Sequence, residues 1–495
     1  MQERLAQTGW LMQPMRMEMG LWRPVFSENG ADLSLQLASV AYTLEMAPWR
    51  EAGWKDISYL IDNSLFTGEE TNGTGVMGEY KQFMARLKLK GANLLGQVLG
   101  TVRNREESDT CKAVVMCRKD ESGRYLVALG FMGTGRRLYD WMANFRIADE
   151  QGMHMGCLQL TRHFEEKMPE ILFPETAREL GLEKLTLQDI FRECTRPDSR
   201  FKLWLSGHSQ GGAVMQLFAY RAILEGVMHQ HLIGYSFAAP SVMYHSGSMN
   251  LASVPLFHLV STDDLTPRVG ARLHIGTCFS FRPTEEMRRA CYGKAWEDRH
   301  FRQVFSLVQR VRCNRDALLF LLALIHRMEQ LSDLAAVQAI SEILGRLLPD
   351  KMLGLLGGRV DEALRGFAQF VERKFALSTG DEPLPEGLLA VWEGRMERLM
   401  QAMGPRQFVK YLLQVLAIPH RMRRKDSYGA TTPAYAYAVE KETEGLQGCI
   451  MPQYAPVDGR QRQVLRQQRR RSQGRFGYAM RRSSEANRRK NIARS

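Results

Sequence analysis

The sequence predicts an α/β fold with a mostly parallel central sheet, a large helical insertion and a basic C-terminal tail expected to be disordered. Three observations carry that expectation. The stretch Phe201-Lys-Leu-Trp-Leu-Ser-Gly207-His208-Ser209-Gln210-Gly211-Gly212-Ala213 reads as a buried strand over 202–206, a glycine-rich turn, and a helix. Further apolar runs of strand length lie before it, at 112–118 and 125–131, and after it, at 254–260. Between Pro283 and Pro419, apolar and charged residues alternate at the 3.6 spacing of amphipathic helices.

The chain has 495 residues, 44% of them apolar, enough for one large domain with additions or for two to three ordinary ones. Its formal charge of +13 is unevenly placed. From Gly459 onward there are thirteen Lys/Arg against one acid, Glu485, so the body of the protein is nearly neutral. The net charge is therefore no nucleic-acid or membrane signal of the body, and a role for basic residues in binding an anionic partner falls on the tail. The eight cysteines are scattered, with no C-x-x-C pair, which argues against a zinc site or a disulfide framework and for free, mostly buried thiols. No signal-peptide pattern opens the chain, and the longest purely apolar run, 317–325, is too short to span a bilayer. A cytoplasmic protein is the expectation.

In chain order, residues 1–30 give no clear pattern, and 33–45 suit an amphipathic helix. A Gly/Thr/Asn loop over 68–78 precedes a second helix at about 79–89. Asp120-Glu-Ser-Gly123 joins the runs at 112–118 and 125–131 into a hairpin. The second strand leaves through Gly130-Phe131-Met132-Gly133-Thr134-Gly135, where Thr134 can offer a backbone N–H and a hydroxyl to an oxyanion. A Gly-x-Ser-x-Gly turn between strand and helix forces its serine into a strained conformation at the strand tip, hydroxyl exposed, with a helix N-terminus behind it. Ser209 is therefore the candidate nucleophile. Asp264 follows the apolar run 254–260, at the sheet edge where α/β sites form, and its neighbour Asp263 reads as a solvated loop carboxylate.

Five elements carry a family resemblance: Phe131-Met-Gly-Thr-Gly followed by Asp140-Trp141-Met-Ala-Asn144, Met153-His154-Met155-Gly156-Cys157, Gly207-His208-Ser209-Gln210-Gly211-Gly212-Ala213, Tyr235-Ser-Phe-Ala-Ala-Pro240, and Thr262-Asp263-Asp264-Leu265-Thr266-Pro267-Arg268. In this order, over about Leu33 to Phe281, they resemble the signature elements of the class 3 lipases, the fungal-lipase-like branch of the α/β-hydrolases. Met132 stands where that family usually has Arg, and Gln210 where it has Leu, which bears on substrate preference more than on chemistry. The resemblance implies an α/β-hydrolase with Ser209 as nucleophile, Asp264 as acid, and the backbone N–H of Gln210 with Thr134 as oxyanion hole. It implies a lipid ester substrate, acylglycerol or phospholipid, with no metal or organic cofactor and no obligatory protein partner. Small soluble esters and thioesters stay open as substrates.

The base is a histidine after the acid, since hydrolases of this fold order their triad Ser, acid, His. The candidates are His274, His300, His326 and His420. His274 falls on an expected strand over 273–281, too close behind the acid. His326 follows an apolar helical run and reads as a packed or capping residue. His300, in Glu297-Asp-Arg-His-Phe, reads as a solvated helix position. His420 follows a helix ended by Pro419, with Tyr428 downstream, similar to the family's late His…Tyr neighbourhood. The expectation falls on His420, with His300 as the alternative.

The expected organisation is thus a hydrolase core over 1–282, a helical insertion over 283–419, a return to the core with the base over 420–458, and the basic tail over 459–495. The insertion's helices are expected at 303–312, 316–331, 333–348, 360–375, 388–403 and 407–416. They are either a bundle packed on itself or a cap over the Ser209 cleft. The tail suits an anionic membrane surface or nucleic acid. The rival functional class is a non-catalytic hydrolase scaffold that binds an anionic partner through that tail.

Overall fold

Side chains of a strand point alternately to its two faces, so a strand buried on both sides is apolar throughout. Tyr125–Phe131 and Phe201–His208 are of that kind, buried at every position. The computed structural model describes residues 15–18, 21–24, 26–43, 46–61, 111–133, 149–150, 152–245, 250–268, 270–330, 368–369, 371–372, 375, 384–419 and 451–452. These all belong to one compact unit, Met1–Gln453. The expected loop at 68–78, the helices at 79–89 and 333–348, and the tail lie outside the described residues.

The strands are β1 (Met15–Glu18), β2 (Leu21–Pro24), β3 (Lys55–Ile61), β4 (Cys111–Lys119), β5 (Tyr125–Phe131), β6 (Asp149–Glu150), β7 (Met153–His154), β8 (Phe201–His208), β9 (Leu232–Phe237), β10 (Leu256–Ser261), β11 (Thr277–Phe281) and β12 (Met451–Pro452). Eight of them form one sheet in the order β12-β11-β10-β9-β8-β5-β4-β3. The run from β5 through β8, β9 and β10 to β11 is parallel, and the strands added at either edge are antiparallel. This is the mostly parallel α/β sheet that the sequence predicts. β3 had no expected counterpart: its charged start, Lys55-Asp56, hides a strand that departs from regular pairing with β4 there.

The helices are α1 (Glu28–Thr43), α2 (Ala47–Glu51), α3 (Met155–Lys167), α4 (Pro174–Glu179), α5 (Leu187–Glu193), α6 (Gln210–Leu224), α7 (Glu285–Tyr292), α8 (Arg299–Val308), α9 (Asn314–Glu329), α10 (Glu386–Met403) and α11 (Pro405–Ala417). α1 begins five residues before the expected helix at 33. The alternation along the strands sorts the core into two layers. Val115, Val127, Leu129, Leu203 and Leu205 face α3 and α6. Val114, Met116, Leu126, Ala128 and Trp204 face α1 together with Trp49 and Trp54, whose indoles lie 5.5 Å apart. Trp204 Nε1 donates to Ser34 Oγ at 2.7 Å and ties α1 to the middle of β8.

The helices after β11 bury a third core of their own, around Phe301, Phe305, Leu319, Leu322, Trp392 and Phe408. Leu265 and Tyr244 from the sheet loops pack against it. Cys117, Cys157, Cys194 and Cys278 are buried free thiols, and burial pushes each up to about 12, so they stay protonated.

β11 starts at Thr277, not at the expected position 273. Gly276, with φ +108°, passes so close to Leu256 that a side chain there would meet its carbonyl at 2.4 Å. His274 therefore lies in the loop before the strand, not on it, and its Nε2 faces the carbonyl oxygen of Pro267 at 3.3 Å. Its ring lies 5.2 Å from that of His258, a fully buried residue of β10. His258 is held by Ser236 Oγ on Nδ1 at 2.6 Å and donates from Nε2 to the carbonyl of Ile275 at 2.5 Å. Burial pushes His258 down to about 3 and His274 down to about 4, from an ordinary value of 6.5. Both rings are neutral in the fold, while the unfolded chain takes up a proton on each as pH drops below 6.5. Their contribution to stability is complete above pH 6.5 and is lost as pH falls toward 4, by up to about 1.4 kcal/mol per pH unit for each ring. Urea unfolding across that window should show this decline, and His274→Leu should remove about half of the slope assigned to the pair.

Candidate active site

The end of β8 is where the sequence places its chemistry, and the backbone there is unusual. Ser209 has φ 56° and ψ −129°, a region L residues avoid, and Asp56 and Ala238 are the other described non-glycine residues with positive φ. Such a conformation costs on the order of 1–3 kcal/mol and persists only where the surroundings over-determine it. Here the Ser209 N–H donates to the carbonyl of Phe237 at 2.9 Å, and its carbonyl accepts from the N–H of Ala213 at 3.2 Å. Its side chain does not cap α6, although serine is a favoured N-cap. The hydroxyl is thus kept out of the helix's own hydrogen bonding.

The glycines of the turn are required by close approach. A Cβ on Gly207 would lie 2.6 Å from the backbone of Gly211, and one on Gly211 would lie 2.3 Å from the carbonyl oxygen of Phe131. The first turn of α6 is thereby pressed onto both β8 and the end of β5. Phe131 pairs with Gly207, so Gly133 comes level with Ser209. A Cβ on Gly133 would sit 3.1 Å from Ser209 Cβ, 2.5 Å from the His208 carbonyl and 2.1 Å from the Tyr42 hydroxyl. Tyr42, on α1, also exchanges a 3.0 Å hydrogen bond with His208 Nδ1. Sequence reading missed Tyr42, because nothing local links a helix tyrosine to a turn 166 positions later.

Gln210 is the first residue of α6 and is buried, so its N–H stands at the positive end of the helix. Gln216, nearly two turns further on, donates to the Pro240 carbonyl at 3.0 Å and accepts from the Ile275 N–H at 3.1 Å, tying α6 to the loops beyond β9 and β10. His154 caps α3, accepting from the Cys157 N–H at 3.4 Å. That gives the His-x-Gly element a local structural duty.

Two adjacent carboxylates follow β10, and they are used differently. Asp264 is fully buried and accepts from the Thr266 N–H at 2.9 Å. Asp263, expected as a solvated loop residue, is only 3% exposed. It forms a two-pronged ion pair with Arg288 of α7, at 2.7 Å to Nε and 2.8 Å to Nη2. The expectation for Asp263 failed because the partner that allows its burial stands 25 positions later and no local pattern announces it.

The strand ends thus bring Ser209, Gln210 and Gly133 together at one edge of the sheet, the edge where β10 also leaves toward Asp264. Thr134, His420 and the stretch 140–144 lie outside the described residues. His300 is half exposed at the start of α8, its Nδ1 3.8 Å from Asp298. His326 of α9 is paired with Glu393 of α10 at 2.8 Å. Among the described residues, no group of three or more His, Cys, Asp or Glu is arranged to hold a metal ion, and no helix is long and apolar enough to cross a membrane.

Comparison with known proteins adds one similarity. The family model described as lipase (class 3) matches residues 129–273. No curated protein sequence matches the chain. Among solved structures, a triacylglycerol lipase whose catalytic centre is described as a serine protease triad is 17% identical, with 35% of this chain and 62% of that one covered and a TM-score of 0.25. This chain therefore spans less than two thirds of that lipase. The Rhizomucor miehei lipase–propeptide complex is 12% identical, with 57% and 80% covered and a TM-score of 0.29. The lipase of Rhizopus microsporus var. chinensis is 16% identical, with 34% and 56% covered and a TM-score of 0.24. The matched residues run from the end of β5 through the Ser209 turn and the Asp264 loop, and over that stretch the chain is similar to the class 3 lipases.

Proposed function

We propose that this protein hydrolyses carboxylic esters, lipid esters foremost, through an acyl-enzyme on Ser209. The observation that carries this reading is the Ser209 turn: a serine held at φ 56° whose hydroxyl is withheld from helix capping, with the backbone of Gly133 packed against it. A purely structural turn at this position would favour glycine over a strained serine. The class 3 lipase match over residues 129–273 supports the same chemistry.

In this mechanism, Ser209 Oγ attacks the ester carbonyl while the His420 imidazole takes its proton. Asp264, buried and prevented from turning by its bond to the Thr266 N–H, holds that imidazole in the correct tautomer and stabilises it once protonated. The tetrahedral oxyanion is held by the N–H of Gln210 and by the N–H and hydroxyl of Thr134, with the α6 N-terminus adding a favourable dipole. The alcohol leaves with the proton from His420, and water then cleaves the acyl-enzyme by the same route. Residues 1–282 supply the core, 283–419 the helices beside the acid loop and 420–458 the base. The tail, 459–495, suits contact with an anionic lipid surface.

Hydrolysis of p-nitrophenyl esters of short and long acyl chains tests the assignment. Ser209→Ala and His420→Ala should each lower kcat/KM by at least about 10³-fold, and Asp264→Asn by about 10²- to 10⁴-fold. Thr134→Val, which removes one oxyanion donor, should raise the barrier by about 3 kcal/mol. Wild-type protein inactive on every ester would move the reading to a binding scaffold, and full activity in His420→Ala would move the base elsewhere. Gly133→Ala should abolish activity and lower the urea midpoint, because the added methyl meets the backbone carbonyl of His208 at 2.5 Å and crowds Ser209 Cβ and the Tyr42 hydroxyl.

A further inference from the structure

The helices after β11 reach back to the loop that carries Asp264, and they do so on both sides of that residue. Before it, the Asp263 carboxylate takes the two-pronged bond from Arg288, and the Asp263 carbonyl accepts from Gln309 Nε2 at 3.2 Å. After it, Arg268 donates from Nη2 to Gln309 Oε1 at 2.9 Å and from Nη1 to the Val311 carbonyl at 2.8 Å. Arg268 also donates from Nη2 to the Thr262 carbonyl, which closes the loop on itself. Gln309 is the shared member, holding Asp263 with its amide nitrogen and Arg268 with its amide oxygen.

The Arg288 guanidinium is fixed in turn. It lies over the rings of Trp296, at 5.6 Å, and Phe305, at 5.2 Å, both in the core of the helical segment. Leu265, next to Asp264, packs on that same core. A paired guanidinium on aromatic faces has little freedom, and its planar fork transmits that restraint to the carboxylate.

We infer that Arg288 and Gln309 are positioning residues for Asp264: the helical segment after β11 sets the orientation of the acid by gripping Asp263 and Arg268 on either side of it. Neither touches the reacting atoms. The inference rests on the reading of Asp264 as the acid of an ester hydrolase. It gives Asp263 a duty distinct from its neighbour's, as the handle by which the loop is held.

The test compares Arg288→Met, Arg288→Lys, Asp263→Asn and Gln309→Ala with wild type, with Ser209→Ala as the inactive control. Arg288→Met should lower kcat about 10- to 100-fold with KM changed less than about threefold, since a misplacement near 1 Å is enough for such a loss. The acid limb of the kcat/KM profile should move to lower pH, because an imidazole whose carboxylate is loosened binds its proton less tightly. Arg288→Lys, which keeps the charge without the fork, should recover part of the rate. Hydrogen–deuterium exchange at the amides of 262–266 should speed up in Arg288→Met and in Gln309→Ala. Wild-type kcat, pH profile and exchange in Arg288→Met would overturn the inference while leaving the hydrolase reading intact. If Arg288→Met does not fold, Asp263→Asn and Gln309→Ala decide by the same readouts. If wild type turns over no ester, the hydrolase reading fails, and unchanged exchange at 262–266 then overturns the clamp as well.

Discussion

One close approach organises the site: the first turn of α6 pressed against the end of β5 and the strand that precedes it. Gly211 lies on the carbonyl of Phe131, and Gly207 lies on the backbone of Gly211. With those contacts made, the residue between strand and helix has no room for ordinary geometry, and Ser209 takes a positive φ. The cost of that conformation is offset locally, by backbone bonds to Phe237 and Ala213, and by the buried apolar faces of β8 and α6 that fix the two elements in place. A larger side chain at either glycine would separate strand from helix and let the serine relax.

The neighbouring aspartates after β10 show how one loop can hold two carboxylates for different ends. Two adjacent buried negative charges would repel each other strongly in a low-dielectric interior. The fold separates them by partner. Asp263 turns to a guanidinium from the helical segment, and Asp264, fully buried, accepts from the Thr266 N–H of its own loop. The His258–His274 pair is a quieter case of the same economy: both rings are kept neutral, and each is aimed at a backbone carbonyl.

What could be read from the sequence was what is encoded locally. The hairpin of β4 and β5 is signalled by Asp120, whose carboxylate does accept from Ser122 Oγ at 2.7 Å and from the Arg124 N–H at 2.8 Å. The Ser209 turn is signalled by its glycines and its flanking apolar runs, and the amphipathic helices α8 to α11 by their period. What failed was non-local. Tyr42, Arg288 and Gln309 carry no spacing that points to the site, and Asp263 looked solvated because its cation is supplied from another helix. β3 escaped because Lys55 and Asp56 mask its pattern, and Asp56 is strained at φ 50° while its carboxylate caps α4 through the Glu175 and Thr176 N–H groups. The proposed base had the least local signal of all, a histidine in a long interval with several competitors.

The sheet and the helical segment bury separate cores that meet at one loop. The sheet joins partners far apart along the chain, β5 to β8 and α1 to β8, so its closure must await long loops. The helical core is joined over long separations too: Phe301 of α8 meets Tyr411 of α11, and Phe320 of α9 meets Trp392 of α10. The loop that bears Asp264 is the seam between them. Its carboxylates take partners from both sides, Asp263 from α7 and Asp264 from its own loop, so a change that loosens either core reaches the region on which the proposed chemistry turns.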